Sequence, residues 1–279
     1  MRQKKKIVFR LIPYYFTLSI ILFIAVFPML WMTITSLKPA QNVVASEQSI
    51  IFTPTFENYS DLLLNKQVPF LRYFANSIII SLTSTALAVG FASMAGYALA
   101  RIKPKGHKIL SLAILSMRML PPIVLVIPLY IIFNQFGWLD NVLTLILPYT
   151  ALNLPLATWM LRSFFISLPG EIDEAATVDG ANSIQTFTRI MLPLTAPGLS
   201  ATAIYSFSLA WNDFLIALLL TTSKAITLPI LASIVRTDEG IEWASVGCIV
   251  VIMIIPTVLF TFFSQKSLVS GITSGAVKG

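Results

Sequence analysis

The chain has 279 residues, of which 56% are hydrophobic and 11% are charged, and its formal net charge at pH 7 is +7. A typical soluble domain carries a charge on about 25% of its residues, so this composition excludes an ordinary soluble protein and predicts an integral membrane protein. Cys248 and His107 are the only residues of their types. The sequence therefore excludes a disulfide within the chain, a cysteine metal cluster and a catalytic site built on several histidines.

The distribution of charged residues predicts an all-α membrane fold with six spanning helices, in one domain that covers residues 1–279. Three stretches contain no charge, and each is longer than the about 20 residues that a helix needs to cross a bilayer. Two of the other spans contain one charge each, Arg118 in the third and Asp213 in the fifth. The predicted spans are residues 11–37, 73–100, 109–133, 142–164, 197–221 and 243–265.

The first span has a second interpretation as a cleaved signal peptide, because the basic stretch "MRQKKK" precedes it. The apolar run is longer than the usual signal-peptide core, and no small-x-small cleavage site closes it before Trp31 and Met32. These two features favour a retained membrane anchor.

The basic residues predict which side of the membrane each loop occupies. With the amino terminus in the cytoplasm, thirteen basic residues lie inside and five outside, which agrees with the positive-inside rule and places both termini in the cytoplasm. We interpret them as a topology signal rather than as a nucleic-acid site. The inner residues are Arg2, Lys4, Lys5, Lys6, Arg10, Arg101, Lys103, Lys105, Lys108, Arg162, Arg189, Lys266 and Lys278, and the outer residues are Lys38, Lys66, Arg72, Lys224 and Arg236.

The largest inner segment between two spans, the acidic loop of residues 168–193, contains four carboxylates within nine residues, at Glu171, Asp173, Glu174 and Asp179. Pro169 fits the first turn of a short helix, whose dipole favours acidic residues near its amino end. Gly180 can end this helix in the left-handed conformation. Asn182 or Ser183 can cap a second short helix, which Pro193 closes.

Each predicted helix of the acidic loop has an apolar face. The small alanines would permit a close approach of a partner, and the carboxylates would pair with its basic residues. The alternative is an amphipathic connector on lipid headgroups, but helices of that kind favour Lys and Arg, so the charge indicates a protein partner. The first face comprises Ile172, Ala175 and Ala176, with Val178 at its edge, and the second comprises Ile184, Phe187 and Ile190.

The stretch "EAATVDGANSIQTFTRIMLP" resembles the EAA loop in permease subunits of ABC importers. "AWNDF" at 210–214, "SLVSGITSGAVKG" at 267–279 and "RMLP" at 118–121 are similar to the carbohydrate-importing branch, to which the smaller maltose-type permease subunit belongs. The resemblance covers nearly the whole chain. The matching positions of the loop are Glu174, Ala175, Ala176, Asp179, Gly180, Ala181, Phe187, Ile190, Leu192 and Pro193.

This resemblance implies a six-helix subunit of the type I importer fold, with a cytoplasmic coupling helix between the fourth and fifth spans. Such a subunit pairs with a second permease subunit in the prokaryotic inner membrane, sits on two ATPase subunits and receives solute from an extracytoplasmic binding protein. It implies that Glu174 contacts the ATPase, that Gly180 is the hinge, and that Phe187 and Pro193 anchor the loop to the membrane part. Residues 223–242, with Asp238, Glu239 and Glu242, are the outer segment that would contact the binding protein, unless they are only solvated charges.

The chain contains no nucleotide-binding P-loop sequence. ATP and Mg²⁺ would therefore be bound by the partner ATPase subunits, and the subunit is predicted to be non-catalytic and to need no cofactor of its own.

The charges inside the spans, Arg118 and Asp213, predict polar surroundings, because a charge facing lipid is costly. Their predicted depths differ by about 10 Å at 1.5 Å per helical residue, which argues against a direct ion pair. Asn212 and Asp213 have two interpretations. They border the translocation path together with Arg118, or they bind neighbouring backbone and helix ends.

The leading hypothesis is an importer subunit for a sugar or oligosaccharide. An ABC permease for another solute, such as glycerol phosphate or a polyamine, is the first alternative, and the absence of a basic excess outside mildly disfavours an anionic solute. A secondary transporter acting alone is the second alternative. It predicts ion-site carboxylates inside the membrane and inverted repeats, whereas the spans contain only Asp213 and no obvious repeat.

Overall fold

The computed structural model describes residues 2–44, 52–64, 68–237 and 240–276. These residues are almost entirely helical, apart from two paired antiparallel strands, β1 (Arg236–Thr237) and β2 (Gly240–Ile241). The helices of the first half are α1 (Arg2–Ser36), α2 (Ala40–Val44), α3 (Glu57–Leu64), α4 (Phe70–Tyr97), α5 (His107–Ser116), α6 (Pro122–Gln135) and α7 (Val142–Ser167). Those of the second half are α8 (Glu171–Val178), α9 (Ser183–Gln185), α10 (Leu192–Leu194), α11 (Ala196–Asn212), α12 (Leu215–Leu220), α13 (Leu228–Ile234) and α14 (Trp243–Ala276).

Short irregular helices extend some of these elements. A π-helical turn, Ala98–Ile102, continues α4, and a 3₁₀ turn, Met117–Met119, continues α5. A second π-helical segment, Thr186–Met191, joins α9 to α10. The acidic loop thus contains one continuous helical stretch, Ser183–Leu194, after α8.

Four helices are long and apolar enough to cross a membrane, and two bent pairs meet the same criterion when each pair is taken together. Counting each bent pair as one span gives six, the number that the sequence predicts, although the second pair covers residues 183–212 where the predicted fifth span is 197–221. The all-α class is confirmed. The four helices are Pro13–Ser36, Phe70–Ile102, Val142–Ser167 and Trp243–Phe262, and the bent pairs are His107–Met119 with Pro122–Gln135 (82°) and Ser183–Leu194 with Ala196–Asn212 (76°).

The third predicted span, 109–133, is bent rather than straight. Leu120 is extended, with ψ of 129°, which is the conformation that a following proline favours. Pro121 and Pro122 then provide no N–H groups to continue the helix, so α6 begins anew at Pro122.

The fifth predicted span, 197–221, is interrupted at Asp213, the charged residue that the sequence places inside it. Helix α11 ends at Asn212, and Asp213 is extended, with ψ of 130°. The Asp213 Oδ1 atom accepts a hydrogen bond of 2.9 Å from the Ile216 backbone N–H. A carboxylate in this position caps a new helix, and α12 therefore starts directly after the break.

The described residues pack as two units. One comprises the described parts of residues 1–70 and 232–255, where the Asn58 amide donates to the carbonyl oxygens of Ser36 and Lys38 at 2.8 and 2.7 Å. The other comprises residues 71–231 and the described part of 256–279, including the acidic loop. The assignment of the whole chain to one domain stays a prediction.

A buried cluster in the second unit joins α4 and α7 to the acidic loop. Tyr97, Leu161, Phe165 and Met191 are its large members, and small alanines fill the space between them. Phe187 packs against this cluster. The acidic loop therefore rests on the ends of two spanning helices.

Helices α4 and α7 lie close together at Gly96. A Cβ atom there would lie 2.9 Å from the Arg162 backbone nitrogen and 3.2 Å from the Thr158 carbonyl oxygen. We expect Gly96→Ala to lower the free energy of unfolding by about 1–3 kcal/mol, because the backbones of α4 and α7 must separate to make room for the Cβ atom. The check is the thermal unfolding midpoint of the protein purified in detergent.

The matched control is Gly90→Ala in the same helix, where a Cβ atom would have no neighbour within 4 Å. This variant should unfold at the same temperature or slightly higher, because alanine favours the helix by up to about 1 kcal/mol over glycine. Equal midpoints for the two variants would contradict a close crossing at Gly96.

Candidate functional site

Local capping interactions shape the acidic loop. Gly180 has a φ of +79°, and the N–H groups of Gly180 and Ala181 bind the carbonyl oxygens of Thr177 and Ala176, both at 3.0 Å. This pattern is a Schellman motif, which ends a helix at a left-handed glycine. The prediction that Gly180 ends the first helix is confirmed.

A capping box begins the second helical stretch of the loop. The Asn182 side chain accepts from the Gln185 N–H, and the Gln185 side chain accepts from the Asn182 N–H, both at 2.9 Å. Asn182 is thus the cap, and the choice that the sequence leaves open between Asn182 and Ser183 is settled.

Two prolines lie differently from their predicted positions. The first helix begins at Glu171 with Gly170 as its cap, so the placement of Pro169 in its first turn is wrong. The second stretch continues through Pro193 and ends at Leu194.

Arg101 ties the acidic loop to the end of α4. Its Nη2 atom donates to the Leu168 carbonyl oxygen at 2.7 Å, and its Nη1 atom lies 3.1 Å from Asp173 Oδ2. The Arg101 side chain is only 13% exposed. One guanidinium therefore holds both the end of α7 and the start of α8.

Aromatic rings provide a second attachment. The Phe187 ring centroid lies 5.1 Å from that of Tyr97 and 6.3 Å from that of Phe165, distances at which aromatic pairs attract each other. The structure thus places Phe187 against the spanning helices, where the family resemblance expects an anchor. Pro193 is exposed.

The apolar faces of the acidic loop differ from the predicted ones. Ala176 is 3% exposed, and Ile172 packs on the buried cluster, so both face their own chain. Val178 and Ile184 are 88% and 74% exposed. Among the exposed side chains of the loop, those of Glu174, Ala175, Val178, Asp179 and Ile184 are here called the coupling surface.

The break between α11 and α12, at residues 213–214, lies outside the acidic loop and is here called the polar break. The Tyr149 hydroxyl donates to Asp213 Oδ1 at 2.9 Å, in addition to the Ile216 N–H. The exposed Asn212 donates to the Ser208 carbonyl oxygen at 2.8 Å. Asp213 therefore binds a helix end, as one of its two interpretations states, and its role in a translocation path stays a prediction.

Arg118 and Asp213, both within the described residues, form no ion pair, as their predicted depths indicate. Arg118 instead donates a long hydrogen bond of 3.4 Å to the Tyr205 hydroxyl. The place of Arg118 beside a translocation path stays a prediction.

Sequence reasoning missed the roles of Arg101 and Tyr149. In the sequence, Arg101 contributes only to the count of inner basic residues, and nothing distinguishes Tyr149 from the other seven tyrosines. No local pattern links either residue to its distant partner. Asp238, Glu239 and the side chains of the C-terminal stretch 267–279 lie outside the described residues.

The spans and the acidic loop define the class of the protein, a polytopic membrane protein with an exposed helix between two spans. Residues 88–274 match the family described as the inner membrane component of binding-protein-dependent transport systems, and the chain belongs to this family.

Two relatives match nearly the full chain. The trehalose/maltose transport system permease protein MalG of Thermococcus litoralis is 40% identical over 258 residues, which cover 92% of each chain. The trehalose transport system permease protein SugB of Mycobacterium tuberculosis is also 40% identical over 258 residues, which cover 91% of this chain and 93% of SugB.

A solved structure has the same fold. A chain of the bacterial ABC transporter involved in import of the acidic polysaccharide alginate has a TM-score of 0.74 and 22% identity, with 94% of this chain and 97% of that chain covered. The type I importer permease fold is thereby confirmed.

We expect Arg101→Gln to loosen the acidic loop. The lost hydrogen bond to the Leu168 carbonyl oxygen costs about 1–2 kcal/mol, and the lost ion pair with Asp173, whose side chain is 28% exposed, adds a smaller contribution. Amide hydrogen exchange within residues 168–179 should then accelerate about tenfold. Lys103→Gln, at an exposed position two residues on, is the control, and equal exchange in both variants would contradict the anchor.

Proposed function

We propose that this chain is the permease subunit of an ATP-driven importer and forms half of the translocation path with a second permease subunit. Its acidic loop docks on ATPase subunits, and an extracytoplasmic binding protein delivers the solute. Both termini then lie in the cytoplasm, on the side where the basic residues concentrate.

The exposed coupling surface on a firmly anchored loop is the observation that carries this proposal. Glu174 lies in the first turn of α8, where the helix dipole stabilises its charge, and it is open to a basic residue of a partner. Val178 and Ile184 add apolar area that is exposed to water in the isolated subunit. Charge for orientation and apolar area for affinity are what a protein interface needs.

The attachments of the loop explain how motion would pass into the membrane. Arg101 connects α8 to α4 through polar contacts, and Phe187 connects the second stretch to α4 and α7 through ring contacts. A displacement of the coupling surface is therefore transmitted to two spanning helices. Closure of the ATPase subunits would open the path outward, and hydrolysis would reverse it, in an alternating-access cycle.

ATP and Mg²⁺ bind to the ATPase partners in this proposal, and this chain contributes no catalytic group. Its own residues receive the motion, orient the spanning helices and line the path, with Asn212, Asp213 and Arg118 as the polar residues at the path.

The solute is a sugar or oligosaccharide in this proposal. Relatives with 40% identity over nearly the whole chain are named for trehalose and maltose transport. The few basic residues of the predicted outer loops also argue against an anionic solute.

We expect Glu174→Lys to abolish coupled uptake while the subunit still folds and inserts. The substitution changes an attraction at the docking contact into a repulsion, and such a contact between like charges costs several kcal/mol. The measurement is co-purification of the ATPase subunits with the permease, together with solute uptake in proteoliposomes of the whole transporter.

The matched control is Glu171→Lys, which makes the same charge change at an exposed position one turn earlier in α8. It should cost only about 0.3–1 kcal/mol of helix stability and retain uptake. Normal uptake and ATPase association in Glu174→Lys would refute docking through the coupling surface.

Competition for uptake tests the solute class. Unlabelled maltose or trehalose should suppress uptake of radiolabelled trehalose, whereas glycerol phosphate and spermidine should not, because a site of neutral hydrogen-bonding groups leaves their charges unpaired. Uptake of radiolabelled glycerol phosphate or spermidine, with no uptake of trehalose, would identify the alternative permease class.

A further inference from the structure

The short helix α12 is fastened at its carboxyl end by Asp140. The Asp140 backbone N–H donates to the Leu220 carbonyl oxygen at 3.0 Å. Its carboxylate then accepts hydrogen bonds of 2.8–3.1 Å from four consecutive backbone N–H groups, and one of 2.9 Å from the Ser223 hydroxyl. Asp140 adopts a φ of +60° in this arrangement. The donor residues are Thr222, Ser223, Lys224 and Ala225.

Helix α4 holds the same segment from another side. We call residues 221–227 the strap, since they connect α12 to α13. The Asn76 amide donates to the carbonyl oxygens of Lys224 and Ile226 at 2.9 and 3.0 Å. The Ser77 hydroxyl accepts from the Leu228 N–H at 2.8 Å, just beyond the strap. Both side chains are buried, so the strap is bound through its N–H and its carbonyl groups.

The amino end of α12 is fastened by Asp213. This carboxylate accepts from the Ile216 N–H of α12 and from the Tyr149 hydroxyl of α7, both at 2.9 Å. Asp140 lies two residues before α7, and Tyr149 lies within it. Both ends of α12 are therefore attached to the same part of the chain.

The charge of Asp140 is essential to its contacts. Burial alone would raise the pKa of this carboxyl, but the N–H groups of Ala225, Lys224, Thr222 and Ser223 hold its pKa well below the usual value. A depressed pKa means that the stabilisation is fully present above the ordinary aspartate pKa of about 4 and is lost only at lower pH. An asparagine has the same shape but brings an amide N–H group against backbone donors.

We propose that Asp140 and Asp213 are a pair of positioning residues that hold α12 at both ends and thereby set the position of Asn212 at the polar break. The effect of this arrangement on transport rests on the proposed function, whereas the position of α12 does not. A helix of six residues cannot keep its place by its own hydrogen bonds. Asn212 ends α11, where its side chain donates to the Ser208 carbonyl oxygen, and it directly precedes Asp213, so a shift of α12 changes the position of Asn212 relative to the polar break.

Cysteine labelling measures the position of Asn212 without any solute. The only native cysteine, Cys248, is buried, and Cys248→Ser with Asn212→Cys leaves one reactive thiol at the break. The measurement is the rate of labelling by a methanethiosulfonate reagent in membranes that contain the whole transporter. We expect Asp140→Asn and Tyr149→Phe each to change this rate by about fivefold or more, which corresponds to about 1 kcal/mol.

Asn141→Ala is the matched control, because Asn141 caps α7 by accepting from the Leu143 N–H and has no hydrogen bond to the strap among the described residues. It should leave the labelling rate unchanged. If Asp140→Asn does not accumulate in membranes, Ser223→Ala, which removes one of the five donors, should produce a smaller change in the same direction. Unchanged labelling in the accumulating Asp140 or Ser223 variant, or an equal change in Asn141→Ala, would overturn the proposal.

Uptake of radiolabelled trehalose and maltose gives the second readout. We expect Asp140→Asn to lower the maximal uptake rate while the basal ATPase activity of the transporter stays unchanged, because the coupling surface is untouched. Wild-type transporter that takes up neither probe would count against the proposed function but leave the labelling result intact.

Discussion

The lack of water in the bilayer core is the constraint on which the rest of this structure depends. A helix satisfies its own backbone groups there, but every break leaves N–H and carbonyl groups that need other partners. The break at Asp213 meets this requirement with a carboxylate that accepts from the new helix and from Tyr149. At Leu120 the break falls where two prolines provide no N–H groups. Irregular backbone thus occurs where side chains or prolines reduce its cost.

The same requirement gives polar side chains a structural role at the ends of the spans. Arg101 satisfies the Leu168 carbonyl oxygen at the end of α7, and Asn76 satisfies two carbonyl oxygens of the strap. These contacts also join elements that are distant in sequence. The groups that stabilise helix ends therefore determine which distant parts of the chain are held to one another.

In the proposed function the acidic loop moves with a partner, and its own structure is firmly held. Its helices are short, and short helices are marginal in water by themselves. The Schellman motif at Gly180, the capping box at Asn182 and the rings around Phe187 compensate for this. In the proposed function, the loop passes a displacement to α4 and α7 without first deforming.

The sequence by itself determined the number and approximate places of the spans, though not the bend in the third or the break in the fifth, and it determined the two helical stretches of the acidic loop. Apolar length and charge distribution are properties of a stretch of chain, and the signals at Gly180 and Asn182 act within a few residues. The tertiary structure decided which side chains meet. Tyr149 and Asp213 are 64 residues apart, and Asp140 reaches backbone groups 82 to 85 residues away. It also decided that Ala176 faces its own chain whereas Val178 is exposed. Such contacts depend on how the helices pack, and a hydrogen bond between distant residues leaves no periodic pattern in the sequence.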